Sequence, residues 1–135
     1  MPEFSNASLR KLETCEADLQ TLFKTVIKHR DCTIVSGMRT PEEQNKLYRQ
    51  GRETPGNIVT YKDGYDRKSK HNYNPSKAVD AIPYPVDWTD IEGMKEFGSF
   101  VLGVAKMLKE YGAIEHDIKW GGDWTSFKDY PHYEI

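Results

Sequence analysis

At 135 residues, with 37% hydrophobic and 30% charged side chains, the chain has apolar material for one packed core and too little length for a second. A formal net charge of −2 excludes the strongly basic footprint of a nucleic-acid-binding surface, and no apolar run approaches the roughly 20 residues that span a bilayer. Residues 1–13 lack the basic start and apolar stretch of a secretory signal, so the expectation is a chain made in the cytoplasm without a signal peptide. Cys15 and Cys32 have no metal-ligand spacing and read as free thiols.

From residue 8 to 29, Leu9, Leu12, Leu19, Leu22, Phe23, Val26 and Ile27 recur at helical spacing and predict a single amphipathic helix. Residues 31–36 read as a strand entering a Gly-Met-Arg turn. Thr40-Pro41-Glu42-Glu43 then opens a short helix ending at Gly51: Thr can cap, Pro suits the first helical position, and Glu43 can reach back to the cap. Residues 52–75 show no sustained period and form a long loop, of the kind that in compact domains is functional or mobile. A short apolar strand follows at 78–82. Thr89-Asp90-Ile91-Glu92 reads as a second capping box, before a helix whose core stripe is Phe97, Phe100, Val101, Val104, Met107, Leu108 and Tyr111, closed by Gly112. Two strands, 117–120 and 132–135, surround a Gly-Gly turn. The layout is an α+β single domain, a small mainly antiparallel sheet flanked by helices.

Of four histidines, His29 and His116 sit in charged surroundings and read as solvated. His71 closes the long loop, and nine residues later Asp80 interrupts the apolar run Ala78-Val79-Asp80-Ala81-Ile82. A carboxylate among apolar neighbours costs free energy unless something pairs with it. A cation or metal would serve; a strand-end Asp capping a turn is an equal reading from position alone. His132 opens the terminal strand, where an isolated histidine is more often a core or edge residue. Together, two histidines and an aspartate from separate segments can supply three ligands of a tetrahedral zinc and leave a fourth position for water. Spacing alone does not establish this, because neither a Cys-x-x-Cys nor a His-Glu-x-x-His signature is present.

At these residues the sequence resembles the D-alanyl-D-alanine carboxypeptidase and L-alanyl-D-glutamate endopeptidase family, which includes many phage endolysins. Ser69-Lys70-His71 is similar to its Ser-x-His element, Ala78-Val79-Asp80 to its Ala-x-Asp, and Asp129-Tyr130-Pro131-His132 to its carboxylate shortly before a second His. Ser36-Gly37-Met38-Arg39-Thr40 and Trp120-Gly121-Gly122-Asp123-Trp124 resemble two further family segments in the expected order. The match runs from about residue 30 to the C-terminus. It departs in the spacer: Ser76 stands where the family has glycine, and Asp80 follows His71 by nine residues where seven is usual. Asp129, where carboxypeptidases carry Glu, is similar to the endolysin branch.

The resemblance implies a Hedgehog/D,D-peptidase-like fold and one Zn²⁺ per chain held by His71, Asp80 and His132. It implies Asp129 as general base, with Glu134 as rival base or as a group orienting a ligand. Arg39 would bind a substrate carboxylate or the developing oxyanion. Ser69 would donate a hydrogen bond near the metal, and Trp124 and Tyr130 would help line a substrate groove beneath a lid formed by residues 52–75. The expected partner is a peptidoglycan stem peptide, cut by a monomer that is one catalytic domain, 1–135, without a wall-binding module. The expected setting is phage-driven host lysis. The alternatives are a D-alanyl-D-alanine carboxypeptidase and a zinc-containing binding module without catalysis.

Overall fold

The computed structural model describes residues 2–135. Two helices, α1 (Asn6–Leu12) and α2 (Ala17–Val26), stand where the apolar spacing predicts one. The break has a local cause. Thr14 Oγ1 donates to the Lys11 carbonyl at 2.6 Å, competing with the helical ladder. The chain then pairs with a distant segment: Ser76 N–H donates to the Thr14 carbonyl and Glu16 N–H to the Ser76 carbonyl, both at 2.9 Å. The apolar stripe is continuous across the break because both helices cover the same core, with Leu12, Leu19, Leu22, Phe23 and Val26 fully buried.

Strand β1 (Cys32–Ser36) leads to α3 (Pro41–Arg49), which carries the expected capping box: Thr40 Oγ1 accepts from Glu43 N–H at 3.1 Å and Glu43 Oε1 accepts from Thr40 N–H at 2.9 Å. The helix ends two residues before Gly51. The long loop follows, closed by a 3₁₀ turn at Lys70–Asn72, before strand β2 (Ala78–Pro83). Helix α4 (Ile91–Glu110) is capped differently from the sequence reading. Thr89 turns back to Asp87, donating at 2.6 Å, and Asp90 is the cap, its Oδ1 accepting from Gly93 N–H at 3.0 Å. A carboxylate at that position also complements the helix dipole. Strands β3 (Lys119–Trp120) and β4 (His132–Glu134) complete the chain.

The sheet order is β1-β2-β4-β3, every pairing antiparallel, as the α+β reading expects. Its two faces differ in kind. Ile34 pairs with Ala81 and Val79 with Tyr133, and these four join the hydrophobic core under α2 and α4. Alternation sends the next row to the opposite face: Ser36, Asp80 and His132 are successive cross-strand partners. A β-bulge between Ile34 and Ser36 brings Ser36, rather than Val35, opposite Asp80. Trp120, in the core, lies flat against Gly98 of α4, where any Cβ would collide with the indole, and its Nε1 donates to the Tyr130 carbonyl at 2.7 Å. That contact anchors the loop that returns the chain to β4.

The end of α4 is tied back to α2 by Asp18, whose Oδ2 accepts from Glu115 N–H, His116 N–H and His116 Nδ1 at 2.9, 3.0 and 2.6 Å. Burial opposes the Asp18 charge, yet these hydrogen bonds outweigh it and lower its pKa below the ordinary value. Stability from a lowered carboxylate is present above the unfolded pKa and lost as pH falls through the folded one. Asp18→Ala is therefore expected to cost about 1–3 kcal/mol at neutral pH. Denaturant melts should show the gap between wild type and variant closing as pH drops below about 4.

Candidate metal centre

Each member of the predicted ligand set is delivered by a different device. Asp80 comes from the middle of β2 and His132 from the first position of β4, in direct register. His71 comes from the 3₁₀ turn. Ser69 Oγ accepts from His71 N–H at 3.2 Å, and Asn72 Oδ1 accepts from Ser69 N–H at 2.9 Å, closing a capping box around it. The turn is clamped to the end of β1, since Arg39 N–H donates to the His71 carbonyl at 2.8 Å and Asn72 Nδ2 donates to the Arg39 carbonyl at 3.0 Å.

The three side chains converge on one point. Asp80 Oδ1 lies 3.2 Å from His71 Nε2 and 3.3 Å from His132 Nδ1. The edge of a tetrahedron with metal–ligand bonds of 2.0–2.1 Å is about 3.3 Å. The outer ring nitrogens are both engaged: His71 Nδ1 with the Gly37 carbonyl at 2.7 Å, and His132 Nε2 with Glu134 Oε1 at 2.7 Å. Each acceptor takes the N–H of its imidazole, which leaves the inner nitrogens as lone-pair donors, the arrangement typical of metal-bound histidine. The residues present therefore fit a divalent cation, and this group could hold one.

Electrostatics point the same way. Burial alone would raise the Asp80 carboxyl, but His71, His132 and Arg39 together hold it well below the usual carboxylate range. Burial would lower His132, yet hydrogen bonds to Asp80 and Glu134 push it up to about 9. The pocket draws positive charge, and a metal ion would take the place of that proton.

Asp129 sits beside this group. Its turn, closed by His132 N–H donating to the Asp129 carbonyl at 3.1 Å, brings Oδ2 to 3.9 Å from the inner nitrogen of His132. Burial and the negative charge of Asp80 push the Asp129 carboxyl up to about 6. Gly121 makes this placement possible, because any Cβ there would strike the Asp129 carbonyl.

The other expected site residues divide. Trp124 packs over the His132 ring, centroids 5.0 Å apart, and both line a cavity of about 380 Å³ with His71, Tyr61, Tyr73 and Phe127. Tyr130 instead tilts against Trp120, at the edge of the core. Ser69 caps the histidine turn as an acceptor; no bond from its hydroxyl runs toward the three ligand atoms. Arg39 makes three side-chain hydrogen bonds: Nε donates to Ser36 Oγ at 3.0 Å, one terminal nitrogen to Gln44 Oε1 at 3.0 Å and the other to Asp80 Oδ2 at 2.7 Å. Its guanidinium pairs with Asp80 and also lines the cavity, where the resemblance implied a grip on substrate. Gln44 went unnoticed in the sequence. It is fully buried on α3 and spends its amide on Arg39, Thr60 Oγ1 and the Lys62 carbonyl. A single polar residue in a short helix carries no periodic sign that it faces inward. The Gly37 carbonyl has no side-chain signature at all.

A family model for the phage L-alanyl-D-glutamate peptidases matches residues 2–135, nearly the whole chain. The chain belongs to this family. It is 41% identical over 110 residues to the peptidoglycan L-alanyl-D-glutamate endopeptidase CwlK of Bacillus subtilis (strain 168), an alignment covering 78% of this chain. The chain spans about 60% of the length of that relative. The crystal structure of the Serratia marcescens L-Ala D-Glu endopeptidase ChiX has the same fold, with a TM-score of 0.65 at 19% identity, over 98% of this chain and 90% of that one.

In this phage peptidase-family chain, Glu134 is the group that fixes the His132 tautomer. Glu134→Ala is expected to weaken divalent-cation binding about 10–100-fold, read by competition with a chromogenic chelator.

Proposed function

We propose that the chain is a zinc-dependent endopeptidase that hydrolyses the L-alanyl-D-glutamate bond of peptidoglycan stem peptides, as an endolysin in phage-driven host lysis. The observation that carries this reading is the convergence of His71 Nε2, Asp80 Oδ1 and His132 Nδ1 on one point, both imidazoles held from outside and opening onto a cavity, with a carboxyl at their side. All of these groups come from one domain, and the reading takes that domain as the catalytic unit of a monomer. The relatives' printed activities and the family description support the substrate and the setting. No helix of the described residues is long and apolar enough to cross a membrane; the reading places the action at the wall, after release through a pore made by another protein.

Zinc held by these three residues would supply a Lewis acid and a water acidic enough to attack at neutral pH. The residues of the chain do the rest. Asp129 takes the proton of the attacking water and returns it to the leaving amine. Glu134 orients His132, and Arg39 orients Asp80 while neutralising its second oxygen. Trp124 packs against the His132 ring and forms one side of the cavity.

Metal analysis of the purified protein should find one zinc per chain, and chelation should abolish wall hydrolysis. Asp129→Ala is expected to keep zinc and lose about 10²–10⁴-fold in kcat, whereas His132→Ala should lose both. Mass spectrometry of digested muropeptides should show release of the stem. A protein without metal whose lysis ignores chelators would overturn the proposal, and loss of a single D-alanine would make it a carboxypeptidase.

A further inference from the structure

We propose that Lys62 and Lys68 form a carboxylate-binding subsite on the wall of the metal-centre cavity, and that it takes the free carboxylate of the glutamate residue at the scissile bond. This rests on the endopeptidase reading above.

The charge balance of the cavity is the first ground. Arg39, Lys62, Lys68 and Lys70 line it, against Glu134 as the one carboxylate. Two of these five charges are paired, Arg39 with Asp80 and Glu134 with His132, and Lys70 Nζ spends one donor on the Ile135 carbonyl at 3.2 Å. Among the described residues, Lys62 and Lys68 make no ion pair. Lys62 and Lys68 are exposed and unpaired, as most lysines of the chain are; what sets this pair apart is that both line one cavity of about 380 Å³ beside His71 and His132.

The second ground is that the backbone bearing them is built in. Asp63 Oδ1 accepts from the N–H groups of Tyr65 and Arg67, both at 2.9 Å, and Gly64 N–H donates to the Arg67 carbonyl at 3.0 Å. This tight turn folds residues 63–67 back so that 62 and 68 reach the same cavity. Gly64 takes a left-handed φ of 88° and packs against the Pro41 carbonyl, leaving no room for a side chain. Helix α3 holds the turn through Asn45 Nδ2 to the Asp63 carbonyl and the buried Gln44 Nε2 to the Lys62 carbonyl, each 3.0 Å. The lysines thus stand on a wall pinned to the helix whose Gln44 also holds Arg39.

The third ground is the chemistry of the bond. Glutamate has two carboxyls, and whichever continues the chain, the other is free. In an alanyl-glutamate bond the glutamate nitrogen is the leaving amine, so this free carboxylate lies only a few bonds from the reacting carbonyl. A substrate seated at His71 and His132 must place it in the same cavity. Lysine suits the task, because a point charge on a flexible stem accepts a carboxylate over a range of orientations. Other carboxyls further along a stem peptide offer the same chemistry, so the test separates them.

Three peptides containing the L-alanyl-D-glutamate bond are the probes for the zinc-loaded full chain: one with all carboxyls free, one with the glutamate carboxyl as carboxamide, and one with only the distal carboxyl amidated. Amidating the glutamate carboxyl is expected to lower kcat/KM about tenfold, the scale of one charge-assisted hydrogen bond, with most of the loss in KM. Amidating the distal carboxyl should change it less than about twofold. In K62Q/K68Q the tenfold ratio should shrink to about two, and in wild type it should fall with added salt. Equal rates on acid and amide would overturn the subsite while leaving the peptidase reading intact. A ratio preserved in K62Q/K68Q would overturn its assignment to these lysines, and a larger penalty from the distal carboxamide would overturn the choice of carboxylate. A protein that cuts none of the three overturns the peptidase reading and the subsite together.

Discussion

A carboxylate placed in the middle of an apolar strand has to be compensated, and Asp80 is compensated on every side. One oxygen faces the inner nitrogens of His71 and His132, and the other receives the Arg39 guanidinium at 2.7 Å. Removing any one of these partners would leave a buried charge short of its match, which costs more than the contact itself contributes. The sheet order, the bulge in β1 and the clamped histidine turn can all be understood as ways of surrounding this one side chain.

The sheet does this economically. Cross-strand partners share a face, so the row Ser36, Asp80 and His132 brings together residues separated by 44 and 52 positions in the chain without any loop reaching between them. The same alternation hands Ile34, Val79, Ala81 and Tyr133 to the core. Packing under the sheet and the polar row above it are therefore coupled: a one-residue slip of β2 would turn Asp80 into the core and Val79 and Ala81 out of it.

Around this row, small contacts at a distance set the aim of the remaining groups. Ser76 interrupts what would be one long helix, pairing with residues 14–16 and fixing the strand end nearest the site. Trp120 against Gly98, and Gly121 against Asp129, fix the last loop so that Asp129 returns to His132. Gln44 joins α3, the cavity wall and Arg39 in one buried amide. The cavity-wall loop and the arginine that pairs with Asp80 are thus parts of a single hydrogen-bonded unit.

The sequence by itself determined what depends on neighbours in the chain: the Thr40 capping box, the strand around Asp80, the α4 stripe through Phe97, Val101 and Val104 and the α+β class, because local periodicity and cap chemistry act within a few residues. Its motifs also carried the family. It did not reveal the division of α1 from α2, which depends on Ser76, or the choice of Asp90 over Thr89 as a cap, which depends on what Asp87 offers. Met107 and Tyr111, expected in the α4 stripe, are exposed, Tyr111 as the C-cap of α4, because the end of the helix runs past the core. Only the tertiary structure decided which atoms meet. His71, Asp80 and His132 converge through register and a clamped turn, and Arg39 turns inward to Asp80 because Ser36 and Gln44 hold it there. Tyr130 joins Trp120, not the cavity. These outcomes rest on contacts between residues far apart in sequence, and no local pattern encodes a distance between them.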